Sequence, residues 1–307
     1  MQPIEILENL FFIERGWLNA NHFVYASKEP VLIDTAYKSD ADVTMAQMAR
    51  LGVKPADVSL IVNTHTHCDH IGANHLIQEQ SGCDIALHTV GRHFIDTRDD
   101  WATWSRYYNQ EADFFECSRS LEDGDILKIG PHEFQVIYTP GHASDGIVLY
   151  NREQKLLISS DTLWENDMAV MTMRVEGSLA LFSARRSLKK LASLDIRQVF
   201  PGHGRSFKDA ETALSKAMEK IDRYMGDRES IGKDLIKKII IYTLLMKKSM
   251  NEQDFFPYLM TTVWFKETVD LYFSKEYKII YQQIMDGFIR NKIVKVENNR
   301  FFPLVRP

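Results

Sequence analysis

Cysteine is scarce in this 307-residue chain, which has only Cys68, Cys83 and Cys117. An odd number without paired spacing argues against a disulfide framework and a cysteine-based zinc knuckle, and fits a reducing cytoplasm. Long apolar runs are missing as well: no stretch approaches the ~18 residues of a membrane span. The opening residues, Met1-Gln2-Pro3-Ile4-Glu5-Ile6-Leu7-Glu8, lack a basic start, a long apolar run and a small-residue cleavage site. They therefore do not read as a signal peptide. No sign of charge dominates. With 37 basic and 42 acidic side chains the net charge is -5, which argues against a dedicated nucleic-acid binder but leaves room for a local basic patch. Low-complexity tracts and short solenoid repeats are also absent. Histidine is missing from the last third of the chain, because all ten lie at or before His203.

What is present is an ordinary globular composition, 45% hydrophobic and 26% charged, enough for a sizeable core. Charge and histidine content divide the chain at about the same place. Residues 1–208 carry 20 basic and 28 acidic side chains, whereas 209–307 carry 17 and 14. The simplest organisation is a domain over 1–208 and a smaller one over 209–307.

The first segment alternates short apolar runs with helical periodicity. His22–Ser27 and Val31–Asp34 form a hairpin pattern around Lys28-Glu29-Pro30. Asp40–Leu51 and Ile71–Gln80 have helical spacing, and Val58–Val62 and Asp84–His88 read as strands. Further strands are expected at Ile126–Ile129, Glu133–Tyr138, Gly146–Tyr150, Lys155–Ser160 and Gln198–Phe200, with a helix over Leu179–Leu194. This mixture predicts an α/β layered sandwich. Within residues 92–118 the spacing of Trp101, Trp104, Tyr107 and Tyr108 predicts one face of a helix. That helix would either pack on the core or act as a lid giving aromatic walls to a pocket. After Lys208 the pattern is helical to about Arg228, over Asp234–Lys248, and at Asn251–Phe256, Lys266–Phe273 and Tyr277–Arg290. It closes with a hairpin, Lys292–Val296 and Arg300–Leu304, the order expected of a winged helix.

The segment that carries chemistry is Ile61-Val62-Asn63-Thr64-His65-Thr66-His67-Cys68-Asp69-His70. An apolar strand ends and four metal-ligand types follow within six residues. Alternate residues of extended chain point the same way, so His65 and His67 can address one ion. Asp69 and His70, displaced where a helix begins, can address a second. Three later residues sit at strand ends: His142 in Thr139-Pro140-Gly141-His142, Asp161 after Ser160, and His203 in Pro201-Gly202-His203-Gly204. Cys68, between ligands, reads as structural. His22, His75, His88, His93 and His132 read as surface or core residues, with His22 and His93 the two to check near a pocket.

In this order the motifs resemble the metallo-β-lactamase superfamily over roughly residues 5–208. The resemblance implies an αββα sandwich, followed here by a smaller, mostly helical, winged-helix-like domain. It implies one metal on His65, His67 and His142 and a second on Asp69, His70 and His203, with Asp161 bridging. Asp34, in Val31-Leu32-Ile33-Asp34-Thr35, then supports a ligand from behind. Ser160 stands where the superfamily often has glycine, a change expected to be tolerated. Two divalent ions are implied; zinc is the default for nitrogen and oxygen ligands, with iron or manganese also credible.

The function implied is metal-dependent hydrolysis, by a dinuclear site and a bridging hydroxide, of a small ester, thioester or lactone. Asp69 would orient the nucleophile and help protonate the leaving group. H-x-H-x-D-H, rather than H-x-E-x-D-H, favours hydrolysis over the flavodiiron redox branch. The tail is similar to the branch whose winged-helix-like domain accompanies cleavage of single-stranded RNA. Its slight excess of basic residues supports nucleic acid thinly, so a nuclease, or a metal-retaining regulatory protein with little turnover, is the alternative. The expected partner is a small molecule, not a membrane. The apolar C-terminal helices would cover the pocket or form a homodimer face. Trp164, Met168, Met171 and Met173 would shape an acyl pocket or pack in the core.

Overall fold

The computed structural model describes residues 2–306. Seven strands run in chain order through one sheet: β1 (Ile4–Leu7), β2 (Leu10–Ile13), β3 (His22–Tyr25), β4 (Val31–Ile33), β5 (Leu60–Val62), β6 (Asp84–His88) and β7 (Arg119–Leu121). Hairpins make β1 to β4 antiparallel, and helical crossovers make β4 to β7 parallel. A second sheet has the order β12-β11-β10-β9-β8, from β8 (Ile126–Ile129), β9 (His132–Tyr138), β10 (Ile147–Asn151), β11 (Leu156–Ser160) and β12 (Gln198–Pro201).

The sheets face each other. Phe12, Phe23, Ile33 and Val62 of one share a buried cluster with Phe134, Val136, Leu149 and Phe200 of the other. On the outer face of the first sheet lie helices α1 (Ala41–Arg50), α2 (Cys68–Ile71), α3 (Asn74–Ser81) and α4 (Thr89–Asp96). On the outer face of the second lie α5 (Met173–Glu176), α6 (Ala180–Leu191) and α7 (Ala210–Gly226). Inner strands bury both faces, which is why β5, β10 and β11 are apolar runs without alternation.

Helix α8 (Arg228–Lys247) follows α7 after a single residue. Asp227 breaks the helix and its carboxylate accepts from the Glu229 and Ser230 amides, capping the next one. Helices α9 (Glu252–Thr261), α10 (Val263–Tyr272) and α11 (Tyr277–Arg290) follow, with a small sheet of β13 (Met250–Asn251), β14 (Val294–Glu297) and β15 (Arg300–Pro303). Their core, centred on Trp264, Phe255 and Phe265, also takes in Leu18, Tyr37, Trp104 and Tyr108, so the C-terminal helices are packed onto the sandwich. Among the described residues no helix is long and apolar enough to cross a membrane.

The helix expected through the aromatic stripe does not form. Residues 100–109 are successive turns, and Arg98, Trp104 and Asn109 have φ of 54°, 67° and 54°, in the left-handed region that ends a right-handed helix. Tyr107 and Tyr108 pack on the C-terminal core, while Trp104 faces the histidines.

Candidate metal centre

Five of the seven side chains leave the loop just beyond a strand, and two the first turn of a helix. His65 and His67 follow β5, and α2 begins at Cys68, placing Asp69 and His70 on its first turn. His142 lies in the turn from β9 to β10, Asp161 directly after β11, and His203 after β12. All seven are buried, with Asp161 7% and His142 8% exposed.

The ligand atoms form overlapping groups in which every atom lies within 4.8 Å of the others. These are His65, His67 and His142; His65, His70 and Asp161; and Asp69, His70 and His203. Asp161 sits between them, its Oδ2 3.3 Å from His142 Nε2 and 3.7 Å from His203 Nε2, its Oδ1 3.6 Å from His70 Nε2. Asp69 Oδ2 is 3.1 Å from His203 Nε2.

Each imidazole turns one nitrogen inward and anchors the other. His70 Nδ1 donates to Asp34 Oδ2 at 2.8 Å, His142 Nδ1 to the Val170 carbonyl at 2.7 Å, and His203 Nδ1 to the Gly16 carbonyl at 3.0 Å. His65 Nδ1 lies 3.2 Å from the Thr64 hydroxyl. His67 is reversed: its Nε2 is held by Glu176 Oε1 at 3.1 Å and its Nδ1 faces His142 Nε2 at 2.9 Å. Such anchoring fixes the tautomer and aims the free nitrogen, as metal ligands require. The inward His65 Nε2 and His70 Nε2 are buried without a hydrogen-bond partner, which is costly unless a cation takes them. The residues fit a pair of divalent ions.

Electrostatics agree with this. Burial, then the neighbouring imidazoles, hold His65 and His67 below the ordinary histidine range, and burial does the same to His142. These three remain neutral, the form that binds a metal. Burial opposes charging of His70 as well, but Asp34, Asp69 and Asp161 outweigh it and raise it; Asp161 and Asp69 likewise raise His203. Asp161 is held ionised despite burial, chiefly by His203 and His70. Burial and then Asp145 push Glu176 up to about 8.

Further side chains complete the site, and of these Glu176, Trp17 and Tyr242 have no sequence signal. Glu176 ends the four-residue helix α5, and Trp104 stacks on His67 with ring centres 3.8 Å apart. Trp17 stacks on His203 at 6.3 Å, and Tyr242 of α8 meets the same ring edge-on at 6.4 Å. Trp164 Nε1 lies 3.3 Å from Asp161 Oδ1, so this tryptophan belongs to the site, whereas Met168 and Met171 pack in the core between sheet and helices. Asp34 supports a ligand, as the resemblance implied.

The remaining histidines stand apart. His22 is buried in β3 with neither ring nitrogen bonded, His75 pairs with Glu79, and His88 stacks on Tyr138. His93 lies in α4 beside Phe94, and His132 bonds the Glu8 carbonyl. Cys68 is buried against Gln110.

Comparison with known proteins identifies the family. The profile of the metallo-beta-lactamase superfamily matches residues 15–203. A probable metallo-hydrolase of Bacillus subtilis, YqjP, is 26% identical over 212 residues, 60% of this chain and 66% of that protein. A hydroxyacylglutathione hydrolase of Maricaulis maris is 29% identical over 190 residues, 62% of each. The chain thus spans less than two thirds of the length of either relative. In fold it resembles the metallo-beta-lactamase family protein TTHA1429 from Thermus thermophilus, with TM-score 0.62 and 19% identity over 97% of this chain and all of that one. The chain belongs to the metallo-beta-lactamase superfamily.

Proposed function

We propose that the chain is a dinuclear metal-dependent hydrolase of a small carboxylic ester, thioester or lactone. The observation that carries this reading is the convergence of six buried side chains around a seventh, Asp161, with every imidazole anchored from behind. His65, His67 and His142 would hold one ion and Asp69, His70 and His203 the other, with Asp161 touching both. When bound, such a pair supplies Lewis acidity and lowers the pKa of bound water toward neutrality.

The chain's own groups do the rest. Asp69, with Oδ2 at 3.1 Å from His203, is placed to hold a proton and return it to a leaving group. Trp17, Trp104 and Trp164 wall the site and restrict water. The name of one relative, a metallo-hydrolase, supports metal-dependent hydrolysis, and that of the other, a hydroxyacylglutathione hydrolase, supports an acyl substrate.

The test is elemental analysis of chain purified without added metal, followed by assay on p-nitrophenyl esters, acyl thioesters, lactones and bis(p-nitrophenyl) phosphate. Two ions per chain and chelator-sensitive turnover of a carbon ester are expected. Turnover of the phosphodiester alone would favour a nuclease. No turnover on any substrate would favour a binding protein.

A further inference from the structure

The metal centre is nearly closed where its ligands meet. A cavity touching His142 and Asp161 holds only about 20 Å³, room for about one water molecule. A larger cleft of about 230 Å³ opens on the other flank, between Trp17 and the C-terminal helices. Its walls are apolar: Trp17, Ile241, Tyr242, Phe288, Ile293 and Val305. Charge is confined to Asp167, Asp234, Lys237 and Lys238, and Lys238 is already paired with both aspartates.

Two of these walls belong to the metal centre as well, since Trp17 and Tyr242 both contact the ring of His203. Tyr242 is 8% exposed and its ring meets both the cleft and the His203 ring. A phenol at such a junction keeps its ring in the apolar part and turns its hydroxyl to a polar partner. The cleft is too small for a partner helix. An apolar cavity of ~150 Å³ accepts the six carbons of benzene, so this one suits a chain of about eight.

We propose that this cleft takes the acyl chain of the substrate, a medium-chain acyl ester or thioester, with the Tyr242 hydroxyl donating a hydrogen bond to the acyl oxygen beside His203. The assignment rests on the hydrolytic reading above and narrows it. Specificity then comes from the C-terminal helices, while chemistry comes from the sandwich.

The experiment uses metal-loaded full-length chain and a p-nitrophenyl ester series from acetate to dodecanoate, with octanoate binding followed by calorimetry. Burial of each methylene raises kcat/KM about fourfold until the cleft is filled near eight carbons, and the profile is flat beyond. Ile293→Trp fills the cleft and lowers the octanoate-to-acetate ratio about tenfold or more, with octanoate binding weakened in parallel and metal content retained. Val305→Trp, in the irregular chain after β15, fills the same cleft from a separate segment and gives the same result. A flat chain-length profile, or equal octanoate affinity in wild type and both variants, overturns the assignment. Chain-length-dependent binding without turnover of any ester leaves the cleft assigned and overturns the hydrolytic reading instead.

Discussion

Glu176 Oε1 lies 3.1 Å from His67 Nε2, on the side of the ring opposite His142. The same carboxylate accepts from Trp104 Nε1 at 3.4 Å and, through Oε2, from the Ser144 amide at 2.6 Å. Three separate segments are thereby tied to one ligand. His67 is the one histidine of the set whose Nδ1 faces the centre, and Glu176 is what selects that nitrogen.

Removing Glu176 should therefore act on metal binding. Glu176→Ala is expected to weaken divalent-ion affinity by roughly 10- to 100-fold, the usual cost of losing a support behind a ligand. Glu176→Gln, which can still accept through Oε1, should lose less. Competition with a chromophoric chelator reads both. Wild-type affinity in the alanine variant would show that His67 orients itself.

Gly202 has a separate role. A Cβ added there would overlap Asp161 Oδ1, and the Gly202 amide and carbonyl are both engaged, at 2.7 Å with Ser160 and 2.6 Å with Asn21. The backbone cannot retreat, so Asp161 must move. Gly202→Ala should cost about 100-fold or more in turnover, as misplacement by an ångström typically does. Its circular dichroism should stay native. Full activity would show that Asp161 has slack.

How much of this was legible in sequence depends on whether the information was local. His65, His67, Asp69 and His70 are four residues within a six-residue span of one strand-to-helix junction, and His142, Asp161 and His203 follow apolar strands, so local pattern flagged them and the family resemblance joined them into one set. Of the walls, the sequence pointed only to Trp104, in the aromatic stripe, and to Trp164, just beyond Asp161. Trp17, Trp104, Glu176 and Tyr242 come from four distant segments, and only tertiary packing brings them to the histidines. The aromatic stripe gave a false helix because spacing does not reveal φ, and Trp104 is left-handed. The helix expected over Asn251–Phe256 runs on through Pro257 to Thr261. At the sixth position the proline's missing N–H forfeits one bond, to the first turn, and packing of Phe255 and Leu259 outweighs that.

Ser160 combines strain and support. Its φ is 46°, a conformation that favours glycine, and its hydroxyl lies 2.7 Å from Thr64 Oγ1 and 3.5 Å from His65 Nδ1. Ser160→Gly removes both the strain and the hydrogen bond, each about 1 kcal/mol, and should leave stability within about 1 kcal/mol of wild type. Ser160→Ala keeps the strain and loses the bond, so it should be destabilised by about 1–2 kcal/mol. Urea denaturation of the metal-free chain distinguishes them. Alanine matching glycine would mean that the backbone here is unstrained.

Asp145 should give the metal-free chain a pH-dependent weakness. It is 2% exposed, its Oδ2 has no hydrogen-bond partner, and burial pushes its carboxyl up to about 7 from an ordinary 3.8. Gly91 leaves room for it, since a Cβ there would come 2.5 Å from Oδ2. Between pH 4 and 7 the unfolded chain has released this proton while the folded chain retains it, so Asp145 lowers stability as pH rises through that window. Above pH 7 the penalty is constant and of the order of a few kcal/mol. Asp145→Asn carries no such penalty, because an amide does not ionise. The variant should therefore unfold at nearly the wild-type urea concentration at pH 4.5, and at a clearly higher one at pH 8, both with chelator present. Equal midpoints at pH 8 would mean that Asp145 ionises without cost in the fold, and that some group other than the carboxylate supplies its missing partner.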